Sequence, residues 1–246
     1  MTPPIPFIRS RWAQPPPGIR KVTRILDPET LGQVPQVDEQ LTGRELTGVV
    51  LAGGRSLRMG RDKAWLESDA QPLLLRQIGL LEQAGLKRIA VAAGPENRPP
   101  LPATPAGVPL LRDRFPDSGP LAGVEAGLGW AHACSPNGWT LLVAVDLPEL
   151  SVEWLRRLVV QIAPGTGCVP SHQGRLEPLA AIYPNQAWAI AREHLEMQKA
   201  SVQEFCRRGL ESGWMNRWEQ NAQDQRALLN WNTPSDWPGG RSNPVP

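Results

Sequence analysis

The 246-residue chain carries 26 basic and 24 acidic side chains and a formal charge of +2, which excludes a global attraction to nucleic acid. Its 41% hydrophobic content suffices for a full core, yet no apolar run approaches the roughly 18 residues of a membrane span, and the N-terminus lacks the apolar segment of a signal peptide. Cys134, Cys168 and Cys206 stand far apart, without the spacing of a disulfide framework or a zinc site, so a cytoplasmic protein with structural thiols is expected.

Residues 1–44 collect prolines at Pro3, Pro4, Pro6, Pro15, Pro16 and Pro17 with no long apolar period. Fixed φ and missing donors disfavour helix and sheet interiors, so a poorly ordered Pro-rich extension is expected there. The folded domain is expected over 45–238 and a frayed tail over 239–246.

The first predicted strand, Leu46–Ala52, ends abruptly in Gly53 and Gly54, followed by Arg55, Arg58, Gly60, Arg61 and Lys63. Glycines let backbone N–H groups approach an anion, and the cations add charge-assisted donors. The same stretch also fits an ordinary strand exit with a solvated basic surface. A helix is predicted from Leu73 to a stop near Gly85, then a buried strand over Arg88–Gly94 and an irregular connection over Pro95–Pro105. Val108–Leu111 reads as a short strand leading into Arg112, Asp113 and Arg114, and a helix is predicted from Ser118–Gly123 to about Ala133. Thr140–Val145, the most apolar strand, ends in Asp146-Leu147-Pro148. An acid at the carboxyl end of a buried strand lies where open α/β sheets bind ligands.

Ser151 with Glu153 predicts the cap of a helix over Val152–Ala163. Cys168–His172 and Leu176–Tyr183 read as strands around Gly174, and Gln186–Met197 and Val202–Leu210 as helices, the second ended by Gly209 and Gly213. Trp214–Trp218 and Leu228–Pro234 read as late strands. Strands alternating with helices predict an α/β fold with a mostly parallel sheet and helices on both faces.

Two phosphate-binding patterns are excluded: GxxxxGK[ST] and GxGxxG are both absent from the loop. The segment Leu51-Ala52-Gly53-Gly54-Arg55-Ser56-Leu57-Arg58-Met59-Gly60-Arg61-Asp62-Lys63 instead resembles the signature loop of nucleotidyltransferases related to molybdenum cofactor guanylyltransferase. Gly119-Pro120-Leu121-Ala122-Gly123 matches that family's GPLAG, Asp146-Leu147-Pro148 its D-x-P, and Asn230-Trp231-Asn232-Thr233-Pro234-Ser235-Asp236 its N-x-N-T-P-x-D. Glu177-Pro178 stands where the family has His-Pro, and Ala92 or Ala93 where it has an Asn after the second strand.

The resemblance implies a three-layer Rossmann-like sheet of the nucleotide-diphospho-sugar transferase type and an Mg²⁺-dependent transfer of GMP from GTP to molybdopterin. It implies catalytic roles for Arg58, Lys63 and Asp146, with Asp146 on the metal, and a nucleotide site of Leu51, Ala52, Gly53, Gly54, Lys63, Asp113, Gly119 and Asp146. Asn232 would lie near the acceptor or the metal. The two-glycine form of the loop points to guanine through Gly53. The alternatives are cytidylyl transfer, another phosphorylated acceptor, or a nucleotide- or pterin-binding adaptor without turnover. Other molybdenum cofactor proteins or molybdoenzymes are implied as partners.

Overall fold

A computed structural model describes residues 45–54, 62–68, 70–231 and 236. The expected extension over 1–44 and tail over 239–246 lie outside the described residues, as do Arg58 and Asn232. No described helix is long and apolar enough to cross a membrane.

In chain order the strands are β1 Leu46–Leu51, β2 Glu67–Ser68, β3 Gln71–Pro72, β4 Ile89–Ala92, β5 Leu110–Leu111, β6 Trp139–Ala144, β7 Gly167–His172, β8 Arg175–Leu176, β9 Ala180–Pro184 and β10 Met215–Glu219. The helices are α1 Leu73–Gln83, α2 Pro120–Cys134, α3 Val152–Val159, α4 Ala187–Glu196, α5 Val202–Ser212 and α6 Ala222–Gln225. The main sheet runs β10-β7-β9-β6-β1-β4-β5, with β8 on β7, while β2 and β3 form a small separate hairpin. β1 is parallel to both β4 and β6, and β4 to β5. β9 reverses direction between β6 and β7, so β7 and β10 run the same way as β6, and the short β8 is also antiparallel to β7.

The pleat divides each apolar strand between two cores. Val50, Val91, Leu141 and Val143 face Leu74, Ile78 and Leu81 of α1 and Trp154, Leu155 and Leu158 of α3. On the opposite face Leu142, Val169 and Ala181 meet Leu121, Val124 and Leu128 of α2, Ala191 of α4 and Phe205 of α5. Each fully buried aliphatic side chain of this kind contributes about 1.5–3 kcal/mol. The three-layer, mostly parallel α/β arrangement expected from the sequence is the one observed.

Several boundaries differ for local reasons. The expected strand Leu176–Tyr183 is two, because Pro178 lacks a ladder donor and Ala180 turns back on the Glu177 carbonyl at 3.2 Å. α3 stops at Val159 rather than Ala163, where Ala163 and Thr166 close a turn around Pro164-Gly165 with N–H···O distances of 2.9 and 3.4 Å. Gly209 lies inside α5 rather than ending it; the Trp214 ring packs against it so closely that a Cβ there would lie 2.7 Å away. Leu228 ends a 3₁₀ turn, Arg226–Leu228, and the chain is irregular from Leu229 to Trp231, so the expected late strand is not formed there. Ser151 caps α3 as expected, accepting from the Trp154 N–H at 3.2 Å.

Candidate active site

Because β1, β4, β5 and β6 are parallel, their carboxyl ends meet on one rim. Backbone hydrogen bonds tie the exits together. The Val145 N–H donates to the Leu51 carbonyl at 3.0 Å, and the Ala52 N–H to the Ala92 carbonyl at 2.9 Å. The Asp113 N–H donates to the Gly94 carbonyl at 3.1 Å, carrying the rim on to the end of β5.

Beside these bonds the chain after β1 presses on the chain after β4. A Cβ on Gly53 would lie 2.9 Å from both Cα and N of Gly94, and a Cβ on Gly94 would strike the Gly53 backbone in return. Gly94 also holds φ +79°, which L side chains rarely adopt. Gly53 therefore has a reason inside the protein itself, whatever base a nucleotide carries. Ala92 and Ala93, where the family has Asn, are fully buried. Neither can meet a base, and the rim at the exit of β4 is formed by Gly94.

Lys63 reaches the rim on a 3₁₀ turn, Lys63–Trp65. Asp62 starts that turn, its Oδ1 accepting from the Ala64 N–H at 3.0 Å. Ala64 is buried, and the Leu66 carbonyl accepts from the Leu73 N–H at 2.7 Å, so the turn is anchored to the start of α1. From there Lys63 Nζ donates to Asp146 Oδ2 at 2.6 Å. Both side chains are largely screened from solvent, 16% and 18% exposed, so the attraction is stronger than between fully exposed charges. Residues 83 apart in sequence thus meet at the end of the central strand β6. The Asp146 carbonyl also accepts from the Trp231 N–H at 3.1 Å, which brings the late Asn230-Trp231 segment beside it.

At the exit of β5, burial raises the Asp113 carboxyl to about 6; Arg98 opposes the shift, Glu125 adds to it and Arg112 opposes it. Asp113 therefore titrates just below neutrality. Among the described residues no donor reaches its buried Oδ1. The neighbouring Arg114 is pinned through Nε and a terminal nitrogen to Glu125 at 3.1 and 2.5 Å. Glu125 is fully buried on α2 and also accepts from the Trp188 indole at 2.8 Å. Gly119 precedes α2 at φ +65°, with Pro120 in the first turn, and so presents a helix N-terminus on the same rim.

Leu51, Ala52, Gly53, Gly54, Lys63, Asp113, Gly119 and Asp146 are thus gathered along one edge. Ala52 is buried and can offer a ligand only backbone, whereas Leu51 is half-buried, packed against the core on the α2 side. Glu177 enters the rim from the other half: the Leu179 carbonyl accepts from Ala144 N–H at 2.7 Å, and Glu177 pairs with Arg175 at 3.4 Å. Burial raises the Glu177 carboxyl, with Arg175 opposing. Sequence reasoning missed Gly94, Arg98 and Glu125. A glycine directly after an apolar strand was a usable signal for Gly94; a single arginine within a proline-rich connection was none for Arg98.

The sequence profile of the MobA-like NTP transferase domain matches residues 48–212. The chain belongs to this family. The MobA-like chain is 37% identical over 191 residues to a probable molybdenum cofactor guanylyltransferase of Opitutus terrae, covering 78% of this chain and 92% of that one. Its fold is similar to the molybdopterin-guanine dinucleotide biosynthesis protein A of Archaeoglobus fulgidus, with TM-score 0.56 at 17% identity over 79% of this chain and 96% of the other. It is also similar to the 2-C-methyl-D-erythritol 4-phosphate cytidylyltransferase of Thermus thermophilus, with TM-score 0.55 at 17% identity over 80% and 98% of the two chains.

Among the described residues of this MobA-like domain, no three His, Cys, Asp or Glu side chains stand together as a ready metal cage. Mg²⁺ does not require one, since it is commonly held by one or two carboxylates together with substrate phosphates and water. Asp146, a hard oxygen donor on the rim with Lys63 beside it, suits that mode.

Proposed function

We propose that this chain is a guanylyltransferase that joins GMP from GTP to the phosphate of molybdopterin and releases pyrophosphate, with Mg²⁺ held at Asp146. The observation that carries the proposal is the Lys63–Asp146 pair at 2.6 Å just past the end of β6, next to the exit of β1, where the Val145 N–H donates to the Leu51 carbonyl. The relatives named molybdenum cofactor guanylyltransferase support the choice of substrates.

In the proposed reaction an oxygen of the acceptor phosphate forms a bond to the α-phosphorus of GTP. The bond from that phosphorus to the oxygen bridging it to the β-phosphate breaks, and the electron pair leaves with pyrophosphate. Such a transfer demands in-line positioning and charge neutralisation more than a covalent nucleophile. Lys63 neutralises charge growing on the leaving pyrophosphate, and Arg58 of the same motif is assigned to the triphosphate. The backbone at Gly53 and Gly54 is assigned to the phosphates, and the N-terminus of α2 at Gly119 favours negative charge. Asp146 would hold Mg²⁺, which when bound would add to the neutralisation of the phosphates. Asp113 is assigned to accept hydrogen bonds from the nucleoside part once it is ionised, and Asn232 of the late motif is assigned to the acceptor side.

The test is pyrophosphate release by the purified protein with molybdopterin and GTP, CTP or ATP in turn, with and without Mg²⁺. Release with GTP alone, dependent on acceptor and metal, is expected. Consumption of CTP alone would overturn guanine as the substrate base, and binding of GTP without any turnover would make the protein an adaptor.

A further inference from the structure

Arg98 stands in the irregular connection after β4, yet its side chain is only 6% exposed. Its guanidinium forms an ion pair with Oδ2 of Asp62. The other oxygen of Asp62 caps the turn that carries Lys63, accepting from the Ala64 N–H at 3.0 Å. One carboxylate is thus shared between an arginine on the β4 side and the lysine-bearing turn on the β1 side. A second tie runs parallel to the first, from the Trp65 indole N–H to the Pro100 carbonyl at 3.0 Å. Arg98 also lies close enough to Asp113 to oppose the rise of its pKa, and Arg98 Nη1 reaches the Ala93 carbonyl at 3.5 Å.

A buried guanidinium is expensive to desolvate and is kept only where its partners are well placed. Here those partners belong to the two sides of the rim on which the nucleotide would lie. We propose that Arg98 is a positioning residue for nucleotide transfer: through Asp62 it fixes the turn that delivers Lys63 to Asp146. This rests on the reading of Lys63 as the triphosphate lysine, but not on which base the nucleotide carries. Arg98 itself need touch no substrate. Its effect is geometric, and displacement of a catalytic group by about 1 Å can cost on the order of a hundredfold in rate.

The experiment compares Arg98→Gln, Arg98→Lys, Asp62→Asn, Lys63→Met and the double variant Arg98→Gln/Lys63→Met in the full chain. The assay uses whichever nucleoside triphosphate the wild type turns over, with melting temperature recorded for each variant. Arg98→Gln is expected to lower kcat/KM by roughly tenfold or more. Arg98→Lys, which keeps a cation for Asp62, should recover most of that loss. Asp62→Asn keeps an oxygen to cap Ala64 but loses the ion pair; it should lower kcat/KM to a similar extent and takes the place of Arg98→Gln if the latter does not fold. The decisive reading is the double variant. If Arg98 acts through the lysine, adding Arg98→Gln to Lys63→Met lowers kcat/KM, or the affinity for Mg²⁺-nucleotide where turnover is undetectable, by less than about twofold. A full, multiplicative further loss in that background would overturn the proposal, as would Arg98→Gln with wild-type kcat/KM. A wild type that prefers CTP would overturn the guanine assignment while leaving this test intact.

Discussion

Replacing Gly53 by alanine separates two explanations for that glycine. The added Cβ would sit 2.9 Å from both Cα and N of Gly94, where ordinary contact begins at 3.4 Å, so about half an ångström must be found. Both obstructing atoms are backbone, and no rotamer change can remove them. Gly94 cannot readily yield, since it holds φ +79° and its carbonyl accepts the Asp113 N–H. Overpacking of this kind costs about 1–3 kcal/mol, or roughly 3–10 °C in melting temperature for a domain of this size. Gly54 is the internal control: a Cβ there meets no described atom within 4 Å and its φ is not in the left-handed range, so Gly54→Ala should hold its stability to within about 0.5 kcal/mol. Scanning calorimetry gives the stabilities, and titration with GTP and CTP the affinities. Gly53→Ala should weaken both nucleotides by a similar factor, because the Gly94–Asp113 side of the rim is displaced for either base. A Gly53→Ala protein with native melting temperature and a changed GTP:CTP ratio would refute this reasoning and return Gly53 to the role of a base selector.

Three other outcomes are expected. Asp146→Ala and Lys63→Met should each lower pyrophosphate release by about a hundredfold or more, and the double variant should fall little below the worse single, since the two act as one unit; an Asp146→Ala protein with unchanged release would remove that carboxylate from the chemistry. The Asp113 carboxyl is raised from 3.8 to about 6, so the folded protein holds that proton more tightly than the unfolded chain. Its contribution to stability is therefore greatest below the unfolded value and is lost as pH rises through about 6. Asp113→Asn should melt increasingly above wild type as pH rises across that window, whereas nucleotide affinity of the wild type should rise over the same window; melting curves whose difference is flat with pH would contradict the assignment. Glu125→Ala strands the Trp188 indole and half-exposed Arg114, and about 2–3 kcal/mol of stability should be lost in denaturant titrations; an unchanged midpoint would show that Glu125 anchors nothing.

The strongest elements were legible because a single physical cause dominated each. β1 and β6 are mostly apolar, interrupted only near their starts by Thr47-Gly48 and Thr140, and a strand buried on both faces needs such a composition, so Asp146 could be placed at a sheet end from its neighbours alone. The Ser151 cap and the break at Gly85 follow from local backbone chemistry. What was not legible depended on partners distant in sequence. Gly209 looks like a helix stop until the Trp214 ring is seen to occupy its missing side chain. Leu176–Tyr183 has the composition of one strand, but Pro178 divides it where the chain must turn toward Ala144. Asp62 and Arg98 lie 36 residues apart with no shared periodicity, and only the adjacency of β1 and β4 brings them together. Gly53 was legible as a glycine with a purpose, but the reason visible in the structure is contact with another glycine rather than with a base.

The reversed strand β9 has a consequence for how the chain divides its labour. Parallel strands give the rim their exits, whereas β9 gives it an entrance, the Glu177-Pro178-Leu179 segment beside Ala144. Every nucleotide-side group described above comes from 51–146, and the groups that border Asp146 from the far side come from 177–179 and 230–231. The rim is therefore assembled from two consecutive stretches of the chain that share only Asp146 and its strand. Drift in the later stretch can remodel one wall of the crevice while the earlier one keeps its chemistry, so a Glu in place of a His before Pro178 can be inherited without disturbing the lysine, the paired glycines or the aspartate.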